Sequence, residues 1–497
     1  MLPFVLIALG ALFFISVGVA LTLDSKQREV VLKRFEIRRR RATGSLTPPR
    51  SLSPEKQGSS TKKAPTGPDF SDAFPPSRRE ALADLPSDAL KGPGKSAKEL
   101  SQVPPDYSKR LPSENAWDPE TQAGHATATG FTLEEIRRLG DFPDYAALSG
   151  VPLPAEYKGF DITKAKPRPF RPLRWAYHQT MSLTKLETDW WLELESSYVE
   201  RIAQRQALYQ QDGPMVLQQL PGAELAAKEL MEMSLEFLCA RYPHYFRLDK
   251  RAMRFYNSIL NTTTDLRATP PLHVLLDNVP EDFACMLRDP ATGLYSFRAG
   301  VICSSLGWNV GSKIGLRLDE IHAPIPDYAA KMQFSMDRYF SKKPTDKPIQ
   351  RGSWGLEIDE PLFMPPGAAH EALRETQDPS HTLERCHFRV DWQTLRRLPL
   401  SGAVVFNFKA LFTPVAEFRD EPYVPALLLK VLREGKRSLM EYKNTWHTEH
   451  VVVPALERFA SEQVAAGLVE EDWEPHTLAE SPFFPGWREK WGRQQGV

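Results

Sequence analysis

Residues 384–409 read ERCHFRVDWQTLRRLPLSGAVVFNFK, two strand-like runs, 384–392 and 401–409, joined across a tight turn that Gly402 permits. Aromatic and β-branched residues of this kind fit a pleated, half-buried surface. Three more stretches upstream read the same way: LHVLLD at 272–277, FACML at 283–287 and VICSSLGW at 301–308. On their N-terminal side, the spacing of Leu183, Leu186, Trp190, Leu194 and Tyr198 predicts an amphipathic helix, and GAELAAKELMEMSLEFLCAR at 222–241 a second. A helix over 327–340 interrupts the strands, and helices over 421–433 and 447–467 close the chain. Helices, then a mostly antiparallel sheet, then helices is an α+β order rather than a doubly wound one.

The N-terminal third reads differently. Leu2–Leu23 (LPFVLIALGALFFISVGVALTL) carries no charge and as a helix would reach about 33 Å, so residues 1–24 are expected to be a transmembrane anchor. Lys26, Arg28, Lys33, Arg34 and Arg38–Arg41 follow it, a basic juxtamembrane segment over 25–42 suited to anionic membrane lipid. This asymmetry predicts a single-pass protein whose bulk faces the cytosol, with the thinner endoplasmic reticulum membrane favoured. A cleaved signal peptide is the rival reading. A lumenal enzyme would follow from it, one able to use the lone sequon at Asn261. Residues 43–130, rich in Pro, Ser, Lys and Asp, read as a disordered linker, and 131–172 as an extended segment wrapped over a globular domain at 173–497. Within that segment Thr132 and Glu135 form a capping box for a short helix that Gly140 can close.

Sixty-three basic residues balance sixty-three acidic ones, so nucleic acid is not an expected partner. Cys239, Cys285, Cys303 and Cys386 form no C-x-x-C pair, which argues against a zinc knuckle or an iron–sulfur cluster within the chain. Phosphate-binding loops, G-x-S-x-G, H-E-x-x-H, kinase signatures and a D-x-D pair are all missing from the sequence.

Three clusters remain. In LRLDEIHAPIPDY (316–328), Pro324 and Pro326 stiffen the chain after His322, and a rigid imidazole suits an axial haem ligand, a general base or simply a packed turn. In 389–409, Arg396 and Arg397 precede Gly402, where guanidinium groups could clamp carboxylates or line a solvated face. In Arg351-Gly352-Ser353-Trp354, the cation and the indole could flank a planar ligand or close the core.

With KLETDWWLELESSYVERIAQRQALY at 185–209, these clusters make the chain resemble the DUF3445 proteins. Their namesake is the α subunit of a bacterial haem-dependent oxidative N-demethylase, and their fungal members are called HRQ-family proteins. The resemblance spans about residues 170–465. It implies a PAS-like α+β fold around haem b, with a secondary amine oxidised by O₂ and electrons from flavin and iron–sulfur subunits. It makes His322 the candidate iron ligand, Arg389, Arg396 and Arg397 candidates for propionate contacts, and Arg351 and Trp354 candidates near cofactor or substrate. One departure stands out: Trp392 precedes Gln393 where the family commonly has a basic residue. The expectation is a membrane-anchored haem-dependent oxidoreductase acting on a small or lipophilic molecule with a partner reductase. The alternative is a non-catalytic haem-binding module or membrane-linked scaffold.

Overall fold

The computed structural model describes residues 73–83, 127–178, 180–289 and 292–496. At its centre lies the hairpin expected from 384–409, longer than the sequence pattern indicated. β9 (Cys386–Arg397) and β10 (Val404–Pro414) pair antiparallel from Arg397↔Val404 to His387↔Pro414. The turn between them is held from outside. Glu229, fully buried, accepts hydrogen bonds from Leu400 N at 2.6 Å, Ser401 N at 2.9 Å and Ser401 Oγ at 2.6 Å. Gly402 sits at φ +71°, where a Cβ would stand 2.7 Å from the Ala128 side chain, so glycine serves both the turn and the approach of a neighbouring strand of chain.

Numbered in chain order, the other strands are β1 (Thr184–Lys185), β2 (Leu217–Gln219), β3 (Phe246–Asp249), β4 (Arg254–Asn257), β5 (Thr262–Asp265), β6 (Asp282–Arg288), β7 (Tyr295–Val301) and β8 (Ile349–Ile358). Seven of the ten build one antiparallel sheet in the order β1-β8-β9-β10-β6-β7-β2, and β3-β4-β5 form a small second sheet. The edge strands β1 and β2 are only two and three residues long, which limits unpaired edge available to other chains. One face of the large sheet packs into the main core, which includes Trp354, Phe388, Val390, Trp392 and Val405. The opposite face carries a smaller core with Ala284, Met286, Phe297, Leu395 and Val404.

Several expectations need correcting. The fold class was expected to include a transmembrane helix, but among the described residues no helix is long and apolar enough to cross a membrane. The two longest show why: Glu224–Arg241 carries six charged residues, including Lys228, Glu229 and Glu232, and Trp446–Ala465 carries Glu449, Glu457, Arg458 and Glu462. The Leu2–Leu23 stretch and the basic segment behind it lie outside the described residues. So does most of the expected linker, but its residues 76–83 form a helix whose Arg79 meets Asp346 at 3.2 Å and whose Arg78 meets Glu135 at 2.7 Å.

The helix expected from Leu183 begins only at Tyr198 and ends at Asp212. Before it, the backbone is claimed by tertiary partners: Glu193 N donates to Glu281 at 2.9 Å, and Leu194 N to the Tyr242 hydroxyl at 3.2 Å. LHVLLD is helical, not extended, within Pro271–Asn278, where Pro271 occupies the first turn and a short apolar run fits either structure. The helix expected over 327–340 breaks at Met332 into Tyr328–Lys331 and Gln333–Lys342. The capping box at Thr132 and Glu135 is present and Gly140 ends its helix.

The wrapping segment is fastened by buried ion pairs. Arg168 Nε lies 3.1 Å from Glu193, and Arg171 engages Glu421 through two contacts of 2.7 Å, with Lys490 adding a third at 3.0 Å. Desolvated charges of this kind are costly once a partner is gone. The Glu421→Ala variant should therefore lose about 3–5 kcal/mol of stability, read as a drop in the urea midpoint at constant m-value.

Candidate functional site

The period-two alternation of strands selects the residues that floor a cavity of about 410 Å³ on the smaller-core face. Arg351 on β8 lies opposite Gln393 on β9, which lies opposite Phe408 on β10; one step along, Leu395, Phe406 and Ala284 line up in the same way. Arg351, Gln393, Phe406, Phe408, Ala284, Met286 and Phe297 reach the cavity from the sheet. Its far wall comes from the irregular stretch 306–325 and from Met332 and Met336. The rim holds Arg174, Tyr177, His178, Trp354, Tyr442 and Lys443. A second cavity, about 540 Å³, is larger but lies between the wrapping segment and β10, lined by groups such as Arg168, Glu195 and Arg201 and by neither histidine nor cysteine.

His322 caps the short helix Leu318–Ile321. Its Nδ1 lies 2.7 Å from Leu318 O; a carbonyl only accepts, so Nδ1 carries the proton and Nε2 keeps its lone pair, with no hydrogen-bond partner among the described residues. The ring stacks on Tyr328, with centroids 5.1 Å apart and planes inclined by 11°. Burial, aided by the nearby Arg351 cation, pushes the imidazole down to about 4, so it is neutral at physiological pH. A backbone carbonyl fixing one ring nitrogen while the other stands free is the usual arrangement of a metal-binding histidine.

Arg351 makes no hydrogen bond or ion pair among the described residues, and its Nε is shut off from solvent without a partner. Burial lowers its affinity for the proton, the mark of a desolvated cation. Trp354 belongs to the main core, stacked on Phe388 at 5.5 Å, and meets the cavity at its rim beside Tyr177. Lys443 donates to Trp354 O at 2.6 Å and lies 4.3 Å above the indole; burial brings its ammonium down to about 7.

The other three arginines named from sequence lie elsewhere. Arg389 is spent on Ser304 O, Pro361 O, Leu362 O and Asp391. Arg397 binds Lys343 O at 2.5 Å, Tyr295 Oη at 2.8 Å, Gly402 O at 2.9 Å and Phe340 O, tying helix Gln333–Lys342 to the sheet. Arg396, one residue out of phase, points to the other face and lies 4.1 Å over Trp191. The same alternation disposes of the departure at position 392. Trp392 is buried in the main core, donating to Gln350 Oε1 at 3.0 Å, while Gln393 faces the cavity. An indole at 392 therefore removes no cation from the cavity. Conversely, Arg174, Tyr177 and His178 were missed as site residues, although they follow the Pro-rich stretch as an alternation of basic and aromatic residues (RWAYH, 174–178). Lys443 gave no signal at all, because only the packing of helix Arg437–Lys443 beside β8 brings it there.

Among the described residues, no group of three or more His, Cys, Asp or Glu side chains could hold a metal ion. A histidine whose second ring nitrogen is unengaged, set beside Phe and Met side chains and a guanidinium with no partner among the described residues, instead suits a cofactor that brings its own equatorial donors. A family model described as haem-dependent oxidative N-demethylase, alpha subunit-like, matches residues 182–453. The chain belongs to this family. Its description names haem, and the cavity brings together groups of the kind that cofactor would need: an unengaged nitrogen of His322, the Arg351 guanidinium and Phe and Met walls.

The protonation state of His322 is testable without any cofactor. A depressed imidazole pKa means the unfolded chain binds a proton that the folded one refuses, so stability falls as pH drops from about 6.5 toward about 4. His322→Gln should flatten part of that slope in urea titrations at pH 7 and pH 5; an unchanged slope would place the imidazole in a solvated setting.

Proposed function

We propose that this protein is a haem b-dependent oxygenase of the oxidative demethylase type, acting on a small organic molecule within the cavity between the sheet and the 306–325 stretch. The observation that carries the reading is His322, held by Leu318 O at 2.7 Å with Nε2 left free at an apolar cavity. When bound there, haem would supply the O₂ activation that demethylation needs, with electrons from a flavin or iron–sulfur reductase partner.

The chain's own residues then have separate tasks. His322 Nε2 would hold the iron, and the stacked Tyr328 ring keeps the imidazole plane from turning. Arg351 and Arg174, neither engaged by another side chain among the described residues, would hold the propionates. Phe297, Met332, Met336, Phe406 and Phe408 exclude water, which strengthens every polar contact inside. Gln393 offers an amide on the sheet floor to orient a polar atom of the substrate. Lys443 Nζ, donating to Trp354 O, sets a desolvated ammonium at the rim.

Full-length protein purified after expression with haem supplied should show a Soret band. His322→Ala should abolish or shift that band, and Arg351→Gln should weaken haem retention about tenfold or more. No band, or a band indifferent to His322→Ala, would overturn the assignment.

A further inference from the structure

The charge of the cavity lining is one-sided. Arg174, Lys313, Arg351 and Lys443 all line it, and among the described residues no Asp or Glu does. Among the described residues none of the four cations meets a carboxylate. Lys313 Nζ is satisfied by Ile321 O at 3.1 Å and Lys443 Nζ by Trp354 O at 2.6 Å, while Arg174 and Arg351 have no hydrogen-bond partner among the described residues. Asp391, the acid whose charge reaches Lys443, is committed to Arg389 at 2.8 Å. Two haem propionates would neutralise two of the four charges and leave two.

The aromatic rim does not offset this for a cationic ligand. An ammonium could use the faces of Trp354 and Tyr177, but Lys443 Nζ already lies 4.3 Å and 5.5 Å from those ring centroids. An entering alkylammonium would have to displace a like charge from a desolvated position.

We propose that the substrate bound in this cavity carries a carboxylate, held by Lys443 and Lys313, and is not a free alkylammonium ion. The proposal rests on the same cavity being the reaction site. It predicts that any methyl group removed there belongs to an anionic or zwitterionic molecule.

Benzoate, benzyl alcohol and benzylammonium share a ring and differ in charge, so they separate the possibilities. Calorimetric titration of the full-length protein, with and without haem, should show benzoate binding about tenfold or more tighter than benzylammonium at low salt. The preference should shrink as salt rises. Lys443→Met and Lys313→Met, made separately, should each reduce benzoate affinity several-fold and leave benzyl alcohol affinity unchanged. Benzylammonium binding as tightly as benzoate, or benzoate affinity unmoved by both substitutions, would overturn the proposal. A benzoate preference in protein that shows no Soret band would sink the haem assignment alone, and a Soret band with benzylammonium preferred would sink this one alone.

Discussion

The pairing of β9 with β10 across eleven residue pairs is the interaction on which the rest of the domain depends. It fixes which side chains of each strand face which core, and a slip of one residue would exchange them all. The register is enforced at the turn, where the buried Glu229 carboxylate gathers the Leu400 and Ser401 amides and Gly402 admits the chain at Ala128. Glu229 belongs to the helix Glu224–Arg241, whose Leu230, Leu235 and Leu238 pack in the main core, so hairpin register and helix docking are set together. Burial raises that carboxyl to about 7, and the three donors aimed at it are what keep its charged form accessible.

From that register follows a division of labour among closely spaced residues. Arg396 and Arg397 are neighbours in sequence, yet one covers Trp191 in the main core and the other ties down the helix behind the cavity. Gln393 faces the cavity and Trp392 the core. The site is assembled from rigid strands on one side and an irregular stretch on the other, with His322 posted at the end of a single helical turn. A histidine whose proton position is dictated by a backbone carbonyl is poised as a donor of electron pairs rather than of protons.

Strands β6, β9 and β10 were legible in the sequence because β-branched and aromatic runs at 283–287 and 384–409 have few other uses, whereas the strand expected at 301–308 meets β7 only at Val301. His322, Arg351 and Trp354 were legible too, since prolines after one and close spacing of the other two make their positions unusual. What was hidden depended on tertiary competition. LHVLLD carries no periodicity long enough to separate a buried helix from a strand, and the apolar spacing from Leu183 to Tyr198 mimics a helix that side-chain acceptors and hydroxyls prevent. Strand β8 was obscured by its polar middle, Gln350-Arg351-Gly352-Ser353, in which Arg351 and Ser353 line the cavity while Gln350 accepts from the buried Trp392 indole. Arg389 and Arg397 are taken up by backbone carbonyls and Arg396 lies over Trp191, arrangements that depend on tertiary contacts a sequence does not display.

The belt formed by residues 127–178 has a consequence for how this protein should be divided. The family model's match begins at residue 182, yet Arg174, Tyr177 and His178 on the cavity rim come from before that boundary, and the Arg171–Glu421–Lys490 clasp ties the belt to the C-terminal helix beyond residue 453. The evolutionary module and the working unit therefore have different edges. A recombinant fragment cut at the limits of homology would keep the sheet and His322 but lose part of the wall that meets the ligand.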